Sequence, residues 1–237
     1  MTIDPAGATD AHPASSAPTT NLGHGAAGAR VADRLREAII DGAFPPGTRI
    51  RQEDIASQYA ASRAPVREAL RILESEGLIT RVANAGAWVS RLNLAECEEL
   101  YRVRERLEPL LLSMNVPLLT DVDITNLSDL AHQMERAADV EEFLALDRTF
   151  HMSTYAAAET TMLRTTVVRL WNRTHHYRRA FTGAVRADGE DTAVHLDHHM
   201  LVAAIKRRDA DEAEEVLHRH IRRTRMGLER HPEIFEN

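Results

Sequence analysis

The chain has 237 residues, 43% of them hydrophobic, with a formal net charge of −7 and one cysteine. Its length suits one large domain or two ordinary ones, and its composition is that of a soluble globular protein. No apolar run approaches the ~18 residues of a membrane helix, no basic-then-apolar leader opens the chain, and Cys97 alone forms no intrachain disulfide; a cytoplasmic protein is expected.

Residues 1–28 are rich in Ala, Gly, Pro, Ser and Thr and almost devoid of large apolar side chains. Such a segment buries too little surface to offset its ordering entropy, so a disordered tail is expected. Helical spacing begins near Arg30 with Val31, Leu35, Ala38 and Ile39, and the turn residues Phe44-Pro45-Pro46-Gly47 end it. A short helical pattern around Ile55, Ala56 and Tyr59 follows. After Ala60-Ala61 a second starts at Ser62, a suitable N-cap, tolerates Pro65 in its first turn, and stops at Gly77. Leu78–Val82 and Ala87–Ser90 read as a hairpin joined across Asn84-Ala85-Gly86. Helix, helix, turn, helix and hairpin describe a winged helix-turn-helix over residues 29–92. From Leu94 onward only helical periodicity is present, with breaks near Pro117–Asp121, Ala138-Asp139, Ala158-Glu159, Gly183–Gly189 and Arg208-Asp209. The expected fold is therefore mainly α, with a six- or seven-helix bundle over residues 93–232.

The net negative charge speaks against general nucleic-acid binding, but binding depends on a local patch rather than on the sum. Arg63, Arg67 and Arg71 stand four residues apart on one helix face, opposite Val66, Leu70 and Leu73. Arginine's planar fork reads guanine edges and clamps phosphates, and the N-terminal end of such a helix enters the major groove first. Ser62, Arg63, Ala64 and Arg67 are the candidates for base edges. Arg71 is placed on the DNA backbone or against Glu68 or Glu74. Asn84 and Gly86, at the hairpin tip, could approach phosphates, although a structural turn explains both equally well. A solvated charged face would show the same arginine stripe; the order of elements around it favours DNA.

Residues 30–90 resemble the GntR-type winged helix-turn-helix, whose recognition helix carries Ser-Arg-x-Pro-Val-Arg-Glu-Ala-Leu, here Ser62 to Leu70 with Ala64 in the variable place. The helical remainder is similar to the ligand domain of the FadR-like branch, the FCD domain. This resemblance implies that Arg63 and Arg67 meet DNA together with the wing tip. One departure is the acidic pair Glu53-Asp54, where a charged residue is often found, which speaks against DNA contact from that helix.

In the second domain, Phe143, Leu144, Leu146 and Phe150 mark the core side of one helix; Asp147 falls among them and His151 one turn later. His198 shares a stripe with Leu201, Val202 and Ile205, with His195 and His199 at its edges. His220 lies among Val216, Leu217 and Ile221, whereas His218 shares a face with charged residues and is expected in solvent. An inward aspartate is costly unless paired or coordinating. Each histidine alone reads most simply as a hydrogen-bonded core residue; the set Asp147, His151, His198 and His220 reads as a divalent metal site for zinc, nickel, manganese or iron. Metal-binding FCD members have ligands at the places of these four residues. The resemblance further implies a small organic acid as effector, completing the metal's coordination, and an assisting arginine on the domain's first helix. Arg104 matches that place, with a surface ion pair to Glu105 or Glu108 as its plain alternative. Asn172 and Arg178 are further candidates for the effector cavity.

The reading is a homodimeric DNA-binding regulator, more readily a repressor than an activator, with two recognition helices about one DNA turn apart on a short palindrome. It is not expected to be an enzyme. The rivals are a helical metal-dependent hydrolase, and the same regulator with a metal-free anion site.

Overall fold

A computed structural model describes residues 22–82, 86–187, 189 and 192–236. The first helix, α1 (Leu22–Ile40), starts earlier than composition suggested, so the tail does not extend to residue 28. What holds this Ala- and Gly-rich turn is tertiary contact. A Cβ at Gly28 would stand 2.8 Å from Glu68 Cγ on the facing helix, so the missing side chain lets the helices close. Residues 1–21, the rest of the expected tail, lie outside the described residues.

The paired helices follow as α2 (Gln52–Gln58) and α3 (Arg63–Ser75), joined through Ala60 in the left-handed region at φ 50. Ser62 holds the extended N-cap backbone of α3, though its side chain makes no capping bond. Gly77, at φ 77, supplies the left-handed residue that turns the chain off α3 and into the wing. The wing strands β2 (Ile79–Val82) and β3 (Gly86–Val89) agree with the expected hairpin to within a residue. A two-residue strand, β1 (Arg49–Ile50), was not foreseen; it pairs antiparallel with β3 to give the order β1-β3-β2. Two residues are too few for alternation to register. The tip at 83–85, with Asn84, lies outside the described residues. Val31, Leu35 and Ile39 of α1 pack with Val66, Leu70 and Leu73 of α3, and Ile55, Leu78 and Val89 close this small core.

The second domain consists of α4 (Leu94–Asn115), α5 (Asp121–Arg136), α6 (Val140–Thr154), α7 (Thr161–Ala187), α8 (Thr192–Lys206) and α9 (Ala210–Leu228), then a short 3-10 turn at Pro232–Phe235. Asn93 and Glu96 form a reciprocal capping box that starts α4, and Thr120 with Asp123 does the same for α5. The break expected over Gly183–Gly189 falls in its later half: α7 runs through Gly183 and ends at Ala187. A single glycine costs a helix only about 1 kcal/mol, and packing of Phe181 and Val185 on either side outweighs it.

Helix α7 touches both domains. Its residues 172, 175 and 179 recur at helical spacing and meet the N-terminal domain. Asn172 Nδ2 donates to the Glu76 carbonyl at the end of α3 (3.0 Å), and His175 Nε2 donates to the Ile40 carbonyl ending α1 (3.1 Å). Arg179 reaches the same Ile40 oxygen at 3.4 Å. Tyr177 completes the junction: its hydroxyl accepts from the Leu92 amide (2.5 Å) and donates to the Leu92 carbonyl (2.9 Å).

Candidate metal centre and nucleic-acid interface

The amphipathic period of α6 places Asp147 and His151 one turn apart, both facing inward, 2% and 1% exposed. Helix α8 contributes His198 from its apolar stripe, and α9 contributes His220. One donor atom from each of the four residues lies within 4.8 Å of all the others. His198 Nε2 stands 3.2 Å and His151 Nε2 3.6 Å from Asp147 Oδ1, and the two imidazole nitrogens are 3.4 Å apart. Bonds of about 2.0–2.2 Å to a first-row divalent ion hold donors at most about 4.4 Å apart. A contraction of a few tenths of an ångström brings the set to coordination distance. The residues fit an ion.

Protonation points the same way. Burial holds His151 down to about 4, and it depresses His198 well below the ordinary range, with His220 and His151 adding to the effect. Burial also lowers His220, against a hydrogen bond to Asp197 that pulls upward. All three are neutral at pH 7, the state in which imidazole offers a lone pair. Asp197 Oδ2 accepts from His220 Nδ1 at 3.3 Å, which leaves Nε2 as the donor nitrogen. Asp197 was not foreseen, although its spacing of four, seven and eight residues from Leu201, Ala204 and Ile205 marks it as inward. His195 reaches the cavity beside the cluster, His199 pairs with Glu135 at 2.8 Å, and His218 is half-buried against the Glu105 carbonyl rather than solvated.

Asp147, His151 and His220 of the cluster line a cavity between α4, α6, α7, α8 and α9 that Arg104 and Arg178 also line. Arg104 is no surface residue. At 3% exposure its Nε donates to Glu108 Oε1 (2.5 Å) and Nη1 to Thr174 (2.9 Å). Glu108 also accepts from Tyr155 and Trp171; burial pushes its carboxyl up, but the Arg104 guanidinium, with His151 and the Trp171 bond, holds it below the usual range. Arg178 lies over the Trp171 ring, 4.4 Å to its centre, and ion-pairs with Asp147 Oδ2. Asn172, expected with Arg178 in the cavity, is corrected: it stands on the neighbouring face of α7, and its Oδ1 accepts from Arg148 Nη2 at 2.7 Å. Six residues of a helix turn through about 600°, which leaves the two side chains about 120° apart and on different walls.

On the opposite domain the face of α3 is open. Ser62, Arg63, Ala64, Arg67 and Arg71 are all exposed, while Pro65, Val66, Ala69, Leu70 and Leu73 are buried. Arg71 lies 3.4 Å from Glu68, and Arg63 3.6 Å from Glu53 of α2, so one of the two acidic residues of α2 sits against a candidate reading arginine. Gly86 begins β3 on the same side. Arg49 and Arg51 on β1 and its flank, with Arg81 on β2, edge a groove between the wing and the paired helices. Sequence spacing gave no hint of these three, because strand pairing assembles them.

Comparison with known proteins agrees with this architecture. Residues 99–223 match the FCD domain, and residues 27–89 match the family described as bacterial regulatory proteins, gntR family. The gluconate operon transcriptional repressor of Bacillus licheniformis is 30% identical over 208 residues, covering 84% of this chain and 84% of that protein. The HTH-type transcriptional regulator McbR of Escherichia coli K12 is 28% identical over 191 residues, 77% and 83% of the two chains. Among solved structures, E. coli McbR/YncC superposes with a TM-score of 0.73 at 25% identity, covering 86% of this chain and 98% of that one.

Proposed function

The chain belongs to the GntR family of bacterial regulators, with a C-terminal FCD domain, and from that premise we propose that it is a homodimeric repressor. Its operator affinity is set by a small carboxylate held at a divalent-metal site of Asp147, His151, His198 and His220. The protein is a transcription regulator rather than an enzyme. The observation that carries the sensing half is the convergence of four donors, three of them neutral imidazoles, beside a cavity. A bound zinc, nickel, manganese or iron ion supplies open coordination positions to a carboxylate.

For the DNA half, Arg63 and Arg67 are offered to base edges from the exposed start of α3. Arg71 and the wing arginines lie where the phosphate backbone would pass. The overall charge of −7 is no obstacle, since binding depends on the local group of Arg49, Arg51, Arg63, Arg67, Arg71 and Arg81 rather than on the sum. Repression is supported by the repressor names of similar proteins.

The link between the halves runs through α6 and α7. Asp147 is followed by Arg148, whose guanidinium holds Asn172, which holds the carbonyl of Glu76 at the end of the recognition helix. Glu76 in turn chelates Arg36 of α1 through bonds of 2.7 and 2.6 Å. A small rotation of α6 on ligand binding thus reaches the segment that orients α3. In a dimer it changes the spacing of the two readers.

Elemental analysis of untagged protein prepared without chelators tests the metal. About one ion per chain is expected, with loss in His220→Ala, while DNA binding by the N-terminal domain is retained. The ion pair of Arg178 with Asp147 favours one second reading, a metal-free site in which guanidinium and imidazole hold the anion directly. Protein free of metal that still responds to carboxylates selects that reading.

A further inference from the structure

Resting on the reading of this cavity as the effector site, we infer that its ligand is a short monocarboxylate with an apolar tail, on the scale of propionate to butyrate. Polyhydroxylated and polycarboxylic acids are excluded.

The cavity has two chemically different ends. Helices α6 and α7 run antiparallel beside it, since Asp147 meets Arg178 while Phe143, one turn earlier on α6, meets Arg186 two turns later on α7. Between Arg178 and Val185 the helix rises about 10 Å. At the first level stand the metal-ligand cluster, Arg178 and Tyr101. The Tyr101 side chain is 1% exposed, and its hydroxyl has no hydrogen-bond partner among the described residues although it lines this space. A buried hydroxyl without a partner is costly, and a carboxylate oxygen supplies the missing acceptor.

The second level is mainly apolar, although Thr182 and His195 also line the cavity beside the apolar residues. Phe143, Phe181, Val185 and Val194 line it. The cation nearest this end, Arg186, already donates to the backbone carbonyls of Asp139 (2.7 Å) and Ala137 (2.8 Å). Against that wall the several hydroxyls of a sugar acid would exchange water mostly for aliphatic carbon, and more of them would be left wanting a partner than the Thr182 and Thr224 hydroxyls can serve.

Size points the same way. The cavity volume is about 50 Å³. So small a space suits a carboxylate with a chain of two or three further carbons rather than an acid with a dozen heavy atoms.

The test is calorimetric titration of the full-length protein, its metal content measured, with acetate, propionate, butyrate, hexanoate, lactate, gluconate and citrate. Affinity is expected to rise about fourfold for each methylene from acetate to butyrate, the ratio equivalent to 0.8 kcal/mol per buried CH₂. It should stop rising at hexanoate, and gluconate and citrate should give no heat of binding. Val194→Thr, which keeps the shape and adds a hydroxyl, should reduce the butyrate-to-acetate affinity ratio severalfold, and an unchanged ratio overturns the apolar-tail assignment. Tighter binding of gluconate or citrate than of butyrate overturns the inference and leaves the carboxylate-sensing function standing. Binding of none of the acids to metal-loaded protein overturns both. The same methylene series on metal-free protein keeps the apolar-tail assignment and removes the metal from the function.

Discussion

Replacing Asn172 by alanine separates communication between the domains from ligand binding. The change removes the donor to the Glu76 carbonyl (3.0 Å) and the acceptor for Arg148 (2.7 Å), and the side chain is 6% exposed. A neutral hydrogen bond contributes about 1 kcal/mol net, and one to a charged group about 1.5–3 kcal/mol. Arg148 is only half-buried and can recover some hydration, so a loss of about 2 kcal/mol is expected. In a chain of this size that is roughly a 4–8 °C fall in Tm. The decisive measurement is operator affinity by fluorescence anisotropy, with and without butyrate, on wild type and variant. Coupling between sites is typically 5- to 150-fold; in Asn172→Ala the ratio should fall toward one while metal content and butyrate affinity stay unchanged. Arg148→Gln should act in the same direction, and the double variant should be less than additive, because both residues serve one contact. If Tm falls but the butyrate effect on operator affinity survives at full size, Asn172 is a structural bond and the route through α6 and α7 is wrong.

Other outcomes follow from single residues. Arg67→Ala should weaken operator binding about 10- to 100-fold with almost no change in Tm, because its side chain is exposed on α3; an equal fall in stability would place it in the fold instead. Leu70→Ala, at a fully buried position of the N-terminal core, should cost about 2–5 kcal/mol in thermal unfolding, and a smaller loss would mean the helices repack. His175 is held down to about 4, chiefly by burial and then by neighbouring Arg148. Because its folded pKa lies below the unfolded value of about 6.5, its stabilisation is complete above pH 6.5 and is lost as pH falls from there to about 4. A gap of about 2.5 pH units corresponds to about 3 kcal/mol. His175→Gln should therefore flatten the stability loss between pH 7 and pH 4.5 in urea titrations of metal-free protein, and an unchanged loss would locate the acid sensitivity elsewhere.

Much of this protein is legible in one dimension. The run from Ser62 to Leu70 specifies a reading helix because four-residue spacing puts arginine on one face and aliphatic side chains on the other. The same periodicity finds Asp147, His151 and His198, since a polar residue on an apolar stripe has to point inward. Caps and glycines fix where the helices stop, apart from Gly183, whose weak local signal yields to packing along α7. Tertiary structure alone decided what lies between elements. It placed Asp197 behind His220, turned Arg104 from a possible surface pair into a buried ion pair with Glu108, and drew Asn172 to the neighbouring domain. It also assembled Arg49, Arg51 and Arg81 beside the wing. The physical reason is that periodicity reports a residue's angle about its own helix axis, whereas partners are set by how helices and strands dock, and docking depends on the summed shape of side chains far apart in the chain.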